Sequence, residues 1–292
     1  MSAEYYDYYG NGGFRKYLEG IIPLLLLAII GIVLLGKTTS IFCNVPVLKS
    51  AFCPVQTTKI AVIGDFEAKN VESPTTIKAP EFKNWLDLEG PNWVVYYEVF
   101  PPATFQYSKE ALLKNYDIVV LVGERNYTRA VKDAIGWYVD NGGKLIIIGD
   151  SGIYDPDDPL VKGWAGGLFY ASPVKLIDET GYGLKEPVLH VADIEHPIYK
   201  ATGYEMSGAN FSKITNKPSC NQQLSIIKIA PEKGNIIAIL SGKNQQNKKV
   251  AEPAVIDSGA LWGGRVIYFA YDPGCTPNAL LNTIRYLSGK AK

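Results

Sequence analysis

The sequence predicts an α/β protein in which a single transmembrane helix near the N-terminus precedes a mostly parallel sheet flanked by helices. An uncharged apolar run covers residues 21–35, and from residue 59 onward short Val-, Ile- and Leu-rich runs alternate with helical patterns. That alternation is typical of a parallel sheet covered by helices. Hydrophobic residues make up 47% of the 292 residues, so the chain has enough apolar surface to bury a core.

The charge balance argues against nucleic-acid binding. Lys and Arg total 29 and Asp and Glu total 29, so the formal net charge is zero. The chain therefore has no general electrostatic attraction for phosphate backbones, and its sequence contains no Lys/Arg stripe or zinc-finger spacing. We predict no nucleic-acid partner.

The order of these features divides the chain into four segments. Residues 1–17 form a Tyr- and Gly-rich tail without helical or strand periodicity, and residues 18–36 form the membrane helix. Residues 37–58 are a connector that contains Pro and Cys, and residues 59–292 are the α/β domain. The tail is expected to be flexible, although its clustered tyrosines also suit a peptide that adheres to a partner.

The apolar run has the length and composition of a transmembrane helix. Counted over residues 18–36, it reaches the roughly 17 to 25 residues that cross the hydrocarbon core of a bilayer. A buried core helix would show a polar face, and this run has none. A cleaved signal peptide is the remaining alternative, but no small-x-small cleavage site directly follows Leu35. The lipid bilayer is therefore the first predicted partner.

Flanking charge does not fix the orientation of this helix. Arg15 and Lys16 precede it, while Lys37 and Lys49 follow it. The other features lie after the helix, namely four cysteines and two N-x-S/T sequons at residues 126–128 and 210–212. We therefore predict a cell-membrane protein with its N-terminus inside and its large domain outside.

The cysteines predict disulfides, because none of them forms the C-x-x-C of a zinc or redox site. An even number of cysteines in turn-rich sequence suits an oxidising compartment. The expected pairs are Cys43–Cys53 and Cys220–Cys275.

The α/β domain is predicted to begin with a parallel part and to end with a different one. The parallel part has strands at residues 59–65, 93–100, 116–123 and 144–149, with helices at 108–114 and 128–141. Strands that are apolar on both sides are expected in the centre of a parallel sheet. The later part has a hairpin of residues 224–230 and 236–241, strands at 254–258 and 265–271, and a closing helix at 277–287. The architecture is Rossmann-like.

Several motifs within this domain resemble one family. Residues 116–123 (YDIVVLVG), a helix and residues 141–150 (NGGKLIIIGD) resemble the class I glutamine-amidotransferase-like fold. Residues 195–199 (EHPIY), followed by Gly203, are similar to the His-Pro-Ile segment of ThuA-like members. Residues 263–272 (GGRVIYFAYD) resemble their late Gly-Arg-Val strand. The resemblance covers about residues 59–288, and the order of the motifs carries most of its weight.

The departures from the family imply a non-catalytic member. Glutaminases of this fold place a cysteine in a Gly-x-Cys-x-Gly elbow, whereas residues 149–152 read GDSG here. Without that thiolate the thioester route is closed. The late His-x-Glu pair is also missing, because Pro197 and Ile198 follow His196. The resemblance therefore implies a binding or scaffolding module beside a membrane or surface protein, with a structural cell-envelope subunit as an alternative.

A ligand crevice is expected where the predicted parallel strands end. Ligands of open α/β folds bind at the carboxyl edge of the sheet. Neither G-x-G-x-x-G nor the Walker pattern follows the first strand, so we predict no nucleotide and no other cofactor. The predicted crevice residues are Asp65, Glu124, Arg125, Asp150 and Ser151.

A serine-dependent hydrolase is the enzymatic alternative. It would use Ser151 as nucleophile and His196 or His190 as base, with Asp193 or Glu195 to orient the base. If the domain only binds, Ser151 is a dispensable surface residue. Asp150 would then hold the turn by accepting backbone N–H groups, which stabilises by about 1 kcal/mol, as helix caps do.

Two further expectations concern the segment after the elbow. Asp150, Asp155, Asp157 and Asp158 could supply the oxygen ligands of calcium, but a solvated acidic turn is the favoured interpretation, so no metal site is predicted. Trp164, in a glycine-rich stretch, is expected on an exposed loop.

Overall fold

The computed structural model describes residues 21–27, 30–31, 57–66, 77–158, 164, 171–178, 181–200, 215–216, 220, 223–259 and 263–289. The chain divides into two compact units, Met1–Gln56 and Thr57–Lys292. In the first unit, residues 21–27 and 30–31 are helical, and most of their side chains are exposed. No helix in the described part of the chain is long and apolar enough to cross a membrane. The predicted tail, the rest of the predicted 18–36 helix and nearly all of the connector lie outside the described residues.

The second unit is built from strands and helices that alternate in its first half. The helices are α1 Pro80–Leu88, α2 Ala103–Asn115, α3 Arg129–Asp140, α4 Pro197–Lys200 and α5 Pro277–Ser288, and Gly90–Trp93 and Pro273–Cys275 are 3-10 turns. The strands are β1 Thr58–Gly64, β2 Val95–Phe100, β3 Ile118–Val122, β4 Lys144–Ile148, β5 Val174–Leu176, β6 Tyr182–Val191, β7 Thr215–Asn216, β8 Gln223–Ile226, β9 Ile229–Pro231, β10 Asn235–Lys243, β11 Lys249–Gly259 and β12 Arg265–Phe269.

One large mixed sheet organises the unit, in the order β2-β1-β3-β4-β12-β11-β10-β6-β7, with β8 also paired to β6. The first five strands in this order, β2, β1, β3, β4 and β12, run parallel to one another. From β12 onward, neighbouring strands of the sheet pair antiparallel. β1, β3 and β4 are buried almost throughout, as the continuous apolar runs predict for central parallel strands. The predicted α/β architecture of a parallel sheet flanked by helices is confirmed for this half.

The predicted hairpin of residues 224–230 and 236–241 is wrong. β8 pairs with β6 and β9 pairs with β5, whereas β10 forms its hairpin with β11. The cause is the turn at residues 244–248. Asn244 Oδ1 accepts the N–H groups of Gln246 and Lys248, and Asn247 adopts a left-handed φ of 58°. Asparagine side chains form such turns readily.

Helix α2 also begins earlier than predicted. It starts at Ala103, and Ser108 lies inside it with non-helical angles of φ −135° and ψ 22°. Two helical segments meet at the kink at Ser108, and the second of them corresponds to the predicted helix of residues 108–114. By contrast, α3 begins where the sequence predicts, because the Thr128 hydroxyl accepts the Val131 N–H.

Asp272 joins the C-terminal part of the unit to its first helix. Ala79, which precedes α1, provides no side-chain cap. Instead, the Asp272 carboxylate accepts the N–H groups of Glu81 at 2.9 Å, Phe82 at 3.0 Å and Gly274 at 2.9 Å. A Cβ on Gly274 would lie 2.1 Å from the carbonyl carbon of Glu81, so only glycine fits this approach.

The predicted Cys220–Cys275 disulfide is present, with the two Cα atoms 5.1 Å apart. It fixes the 3-10 turn that follows Asp272 to a residue 55 positions earlier in the chain. Cys43 and Cys53 lie outside the described residues.

Stability is expected to depend on the ionisation of Asp272. Burial raises the pKa of its carboxyl group, and the hydrogen bonds from the three backbone N–H groups lower it. Burial has the larger effect, so the pKa is about 6. The folded protein therefore keeps a proton that the unfolded chain releases between about pH 4 and pH 6. This contribution to the free energy of unfolding is fully present below about pH 4 and is lost as the pH rises through 6.

Urea denaturation of the intact protein from pH 4 to pH 7 measures this effect. Relative to Asp272→Asn, the wild type should lose up to about 3 kcal/mol across that window. The exposed Asp157→Asn variant is the control and should parallel the wild type. Parallel pH profiles for wild type and Asp272→Asn would show that Asp272 does not titrate there.

Candidate functional site

The loops after β1, β3 and β4 meet at the carboxyl edge of the parallel half. Gly123 has a φ of 70°, and a Cβ there would lie 1.9 Å from the carbonyl oxygen of Asp65. The N–H of Gly152 donates to the carbonyl oxygen of Glu124 at 2.9 Å. The sheet therefore brings the three loops of the predicted crevice together, and these loops carry Asp65, Glu124, Arg125, Asp150 and Ser151.

A buried ion pair lies at the centre of this edge. Arg125 Nε is 2.7 Å from Asp150 Oδ2, and the two side chains are only 7% and 1% exposed. The guanidinium also donates to the Tyr154 hydroxyl at 3.2 Å and lies 4.6 Å from the centre of that ring. The other oxygen of Asp150 accepts the N–H of Ile77 at 3.3 Å.

The electrostatics of Asp150 follow from this environment. Burial raises the pKa of its carboxyl group, while the Arg125 charge and the backbone N–H of Ile77 lower it. The geometry is that of a compensated buried charge, in which each partner makes the burial of the other tolerable.

Ser151 is buried, so its prediction as a surface residue is wrong. Its hydroxyl donates to the carbonyl oxygen of Ile148 at 2.8 Å, and its own carbonyl oxygen accepts the indole N–H of Trp164 at 2.9 Å. Trp164, expected on an exposed loop, is buried against Tyr268 with ring centroids 5.7 Å apart. Tyr268 in turn donates its hydroxyl to the carbonyl oxygen of Gly149 at 2.9 Å. Two aromatic side chains thus hold the elbow in place from inside the protein.

His196 does not join Ser151. Its Nδ1 accepts the N–H of Ile198, so Nε2 carries the proton and donates to Asp257 Oδ2 at 2.8 Å. Tyr286 donates its hydroxyl to the same carboxylate oxygen at 3.0 Å. Asp257 lies on β11, two strands from β4 and therefore about 10 Å across the sheet.

The other members of the hypothetical triad also have separate partners. His190 Nε2 lies 2.6 Å from the hydroxyl oxygen of Ser241 on the neighbouring strand. Asp193 accepts the N–H of Glu195 at 3.1 Å. The described hydrogen bonds therefore assemble no Ser151-histidine-carboxylate triad.

The four aspartates considered for calcium do not converge. Asp150 is turned to Arg125, Asp155 accepts the N–H of Asp157 at 3.0 Å, and the side chains of Asp157 and Asp158 are exposed. Within the described residues, no group of three or more His, Cys, Asp or Glu side chains is placed to hold a metal ion. The segment is an acidic turn in which one carboxylate caps the backbone.

Lys132 is a buried charge that the sequence prediction missed. It is 0% exposed, and its Nζ has no hydrogen-bond partner among the residues that the structure describes. Burial lowers the pKa of its amine, while the nearby charge of Asp155 raises it. Helical periodicity offered the signal, because Lys132 shares the face of α3 that contains the buried Ile135 and Val139.

Substitutions at the elbow should show whether Asp150 acts as part of a buried ion pair or only as a cap for backbone N–H groups. Arg125→Met and Asp150→Ala should each lower the free energy of unfolding by about 3–5 kcal/mol, because each leaves an uncompensated buried charge or an unfilled site. The double variant should lose less than the sum of the two. Ser151→Ala should cost at most about 1.5 kcal/mol, the scale of one neutral hydrogen bond.

Chemical denaturation of the four variants provides these values. A loss of only about 1 kcal/mol in Asp150→Ala, with additive effects in the double variant, would mean that Asp150 acts as a cap alone.

Comparisons with known proteins address the fold. No protein-family model matches the sequence, and no curated protein matches it either. The structure of a ThuA-like protein from Bacteroides uniformis is similar, with a TM-score of 0.50, 15% sequence identity, and coverage of 79% of this chain and 91% of that one.

Two β-galactosidase structures are also similar, each with a TM-score of 0.50. The enzyme from Bacillus circulans sp. alkalophilus is 13% identical over 80% of this chain, and that from Rahnella sp. R3 is 16% identical over 78%. The match spans 31% of each galactosidase chain. At these identities the likeness concerns the fold alone. The second unit therefore has a ThuA-like, amidotransferase-like fold.

Proposed function

We propose that this protein is a single-pass membrane protein whose extracytoplasmic amidotransferase-like domain is a non-catalytic binding or scaffolding module. Its partner would be another membrane or cell-surface protein. The observation that carries the non-catalytic part is the buried Arg125–Asp150 ion pair at the elbow.

The chemistry of the elbow supports this proposal. Nucleophilic catalysis needs an accessible thiolate or hydroxyl beside a general base. Asp150 occupies the elbow and pairs with Arg125, and the hydroxyl of Ser151 is buried and donates to Ile148. His196, the proposed base, is engaged with Asp257. Among the described residues, the hydrogen bonds at the carboxyl edge therefore bring no nucleophile and general base together for acyl transfer.

The membrane and compartment parts rest on separate features. The uncharged run of residues 21–35 has the composition of a membrane anchor. The Cys220–Cys275 disulfide is the kind of bond that persists in extracytoplasmic compartments. Together they favour an anchor followed by an external domain.

A serine-reactive fluorophosphonate tests the absence of catalysis. The intact protein should stay unlabelled. Labelling that disappears in Ser151→Ala would contradict the proposal. Ser241→Ala is tested in parallel, because Ser241 lies 2.6 Å from His190 and is a second serine that could react with the probe. Labelling lost in that variant would also contradict a non-catalytic domain.

Removal of residues 1–56 tests the anchor. The intact chain should stay in the membrane fraction after salt and carbonate washes and require detergent, since about 0.8 kcal/mol is gained for each buried CH₂ group. The chain without those residues should appear in the soluble fraction. Release of the intact chain by salt alone would show that residues 21–35 do not anchor it.

A membrane-impermeant amine reagent tests the orientation. On whole cells it should label the large domain, in which Lys248 and Lys249 are exposed. Mapping the labelled peptides identifies those sites, and lysed cells give the total reactivity. Protection of both lysines until lysis would place the domain inside.

A further inference from the structure

β2 is an end strand of the large sheet in the part of the chain that the structure describes. β2 pairs with β1 on one side, and no described strand lies on the other. The N–H of Thr58 donates to the carbonyl oxygen of Val94 at 2.9 Å, so the carbonyl of Val94 points toward β1. The backbone groups of successive strand residues point to opposite sides. The N–H and C=O groups that point away from β1 are therefore those of Val95, Tyr97 and Val99.

Two large apolar side chains of β2 are exposed, whereas Val95 is buried and Tyr97 is half-buried. Tyr96 is 55% exposed and Val99 is 49% exposed. Glu98, the one charged residue of β2, accepts the hydroxyl of Tyr116 at 2.7 Å. Proteins usually protect edge strands with lysines, prolines or bulges, and β2 contains neither Lys nor Pro.

We propose that β2 pairs antiparallel with β2 of a second copy of this chain, in a register centred on Tyr97. Tyr97 then lies opposite Tyr97 of the partner subunit, and Val95 lies opposite Val99 of the partner subunit. These are the outward-directed residues, so the pairing forms about six main-chain hydrogen bonds across a two-fold axis. It also covers the exposed side chain of Val99.

The composition of β2 favours a second copy in this register. A register centred on Glu98 would place two like charges directly opposite each other, which is destabilising. It would also set Val95 against Pro101 of the partner subunit, which has no N–H to donate. In the register centred on Tyr97, the phenol of Tyr96 stands opposite Glu98 of the partner subunit and can donate to it. The strand is therefore complementary to itself.

This pairing goes beyond the proposed function, because it concerns the described domain and holds whether or not residues 21–35 span a membrane. It joins two copies edge to edge without using the carboxyl edge of either sheet. Failure of the membrane or non-catalytic proposals would leave it untouched, and the reverse is also true.

Light scattering of the intact, detergent-purified protein tests the pairing through its mass. The wild type should be a dimer, and Val99→Lys should raise the dimer Kd on the order of tenfold or more, because it sets an ammonium group against Val95 of the partner subunit. Ile177→Lys is the matched control, since Ile177 is an equally branched residue, 55% exposed, that follows β5 in the small sheet. It should stay dimeric. A monomeric wild type, or a Val99→Lys dimer as tight as the control, overturns the proposal.

Oxidative cross-linking tests the register and does not depend on the lysine variants. Opposed residues of a hydrogen-bonded antiparallel pair have Cα atoms about 5.5 Å apart, within the range of a disulfide. Mild oxidation should therefore link two chains of Tyr97→Cys, whereas Glu98→Cys, away from the two-fold axis, should remain monomeric on a denaturing gel. A link in Glu98→Cys but not in Tyr97→Cys overturns the register, and a link in neither variant overturns the pairing.

Discussion

The buried ion pair between Arg125 and Asp150 sets the form of the carboxyl edge. It connects the loop after β3 to the loop after β4, and through the N–H of Ile77 it also reaches the segment before α1. If two charges in a low-dielectric interior are separated, the desolvation cost of each is no longer compensated by its partner. The loops at the carboxyl edge of the parallel strands are therefore held together by a structural interaction.

The same interaction turns the side chains of the elbow toward the protein interior. A nucleophile at the end of a strand must project into solvent or substrate, whereas Asp150 points to Arg125 and Ser151 bonds back to Ile148. Trp164 and Tyr268 donate from the protein side to two of the carbonyl oxygens of the elbow, those of Ser151 and Gly149. The Ser151 hydroxyl and the Asp150 carboxylate therefore have their partners within the protein.

The sequence predicts the parts of this fold whose signal is local. Continuous apolar runs identify the central strands, and Thr128 marks the start of α3. The elements that it mispredicts depend on distant partners. Tyr268 and Gly149, which hold the elbow, are 119 residues apart, and no pattern around Ser151 indicates that its turn is buried. The prediction for β10 failed for a local reason. The polar stretch at 244–248 resembles an ordinary loop in sequence, but it forms a tight turn through the side chain of Asn244.

The two halves of the sheet differ in how their outer strands are paired, and this difference determines where another chain can bind. Beyond β12 the sheet continues through β11, β10 and β6, and the long β10–β11 hairpin satisfies its backbone groups within the chain. At the other end, β2 follows a 3-10 turn and Val94 with a left-handed φ of 58°, so the chain enters the edge strand through a constrained backbone. The position of β2 is fixed by β1 on one side and by the contact of Tyr97 with Asp87 of α1 on one face. A rigid strand loses little conformational entropy when a second strand joins it. Because the charges at the carboxyl edge are paired with each other, the preorganised edge at β2 is the better placed of the two surfaces to bind the second copy of the chain that we propose.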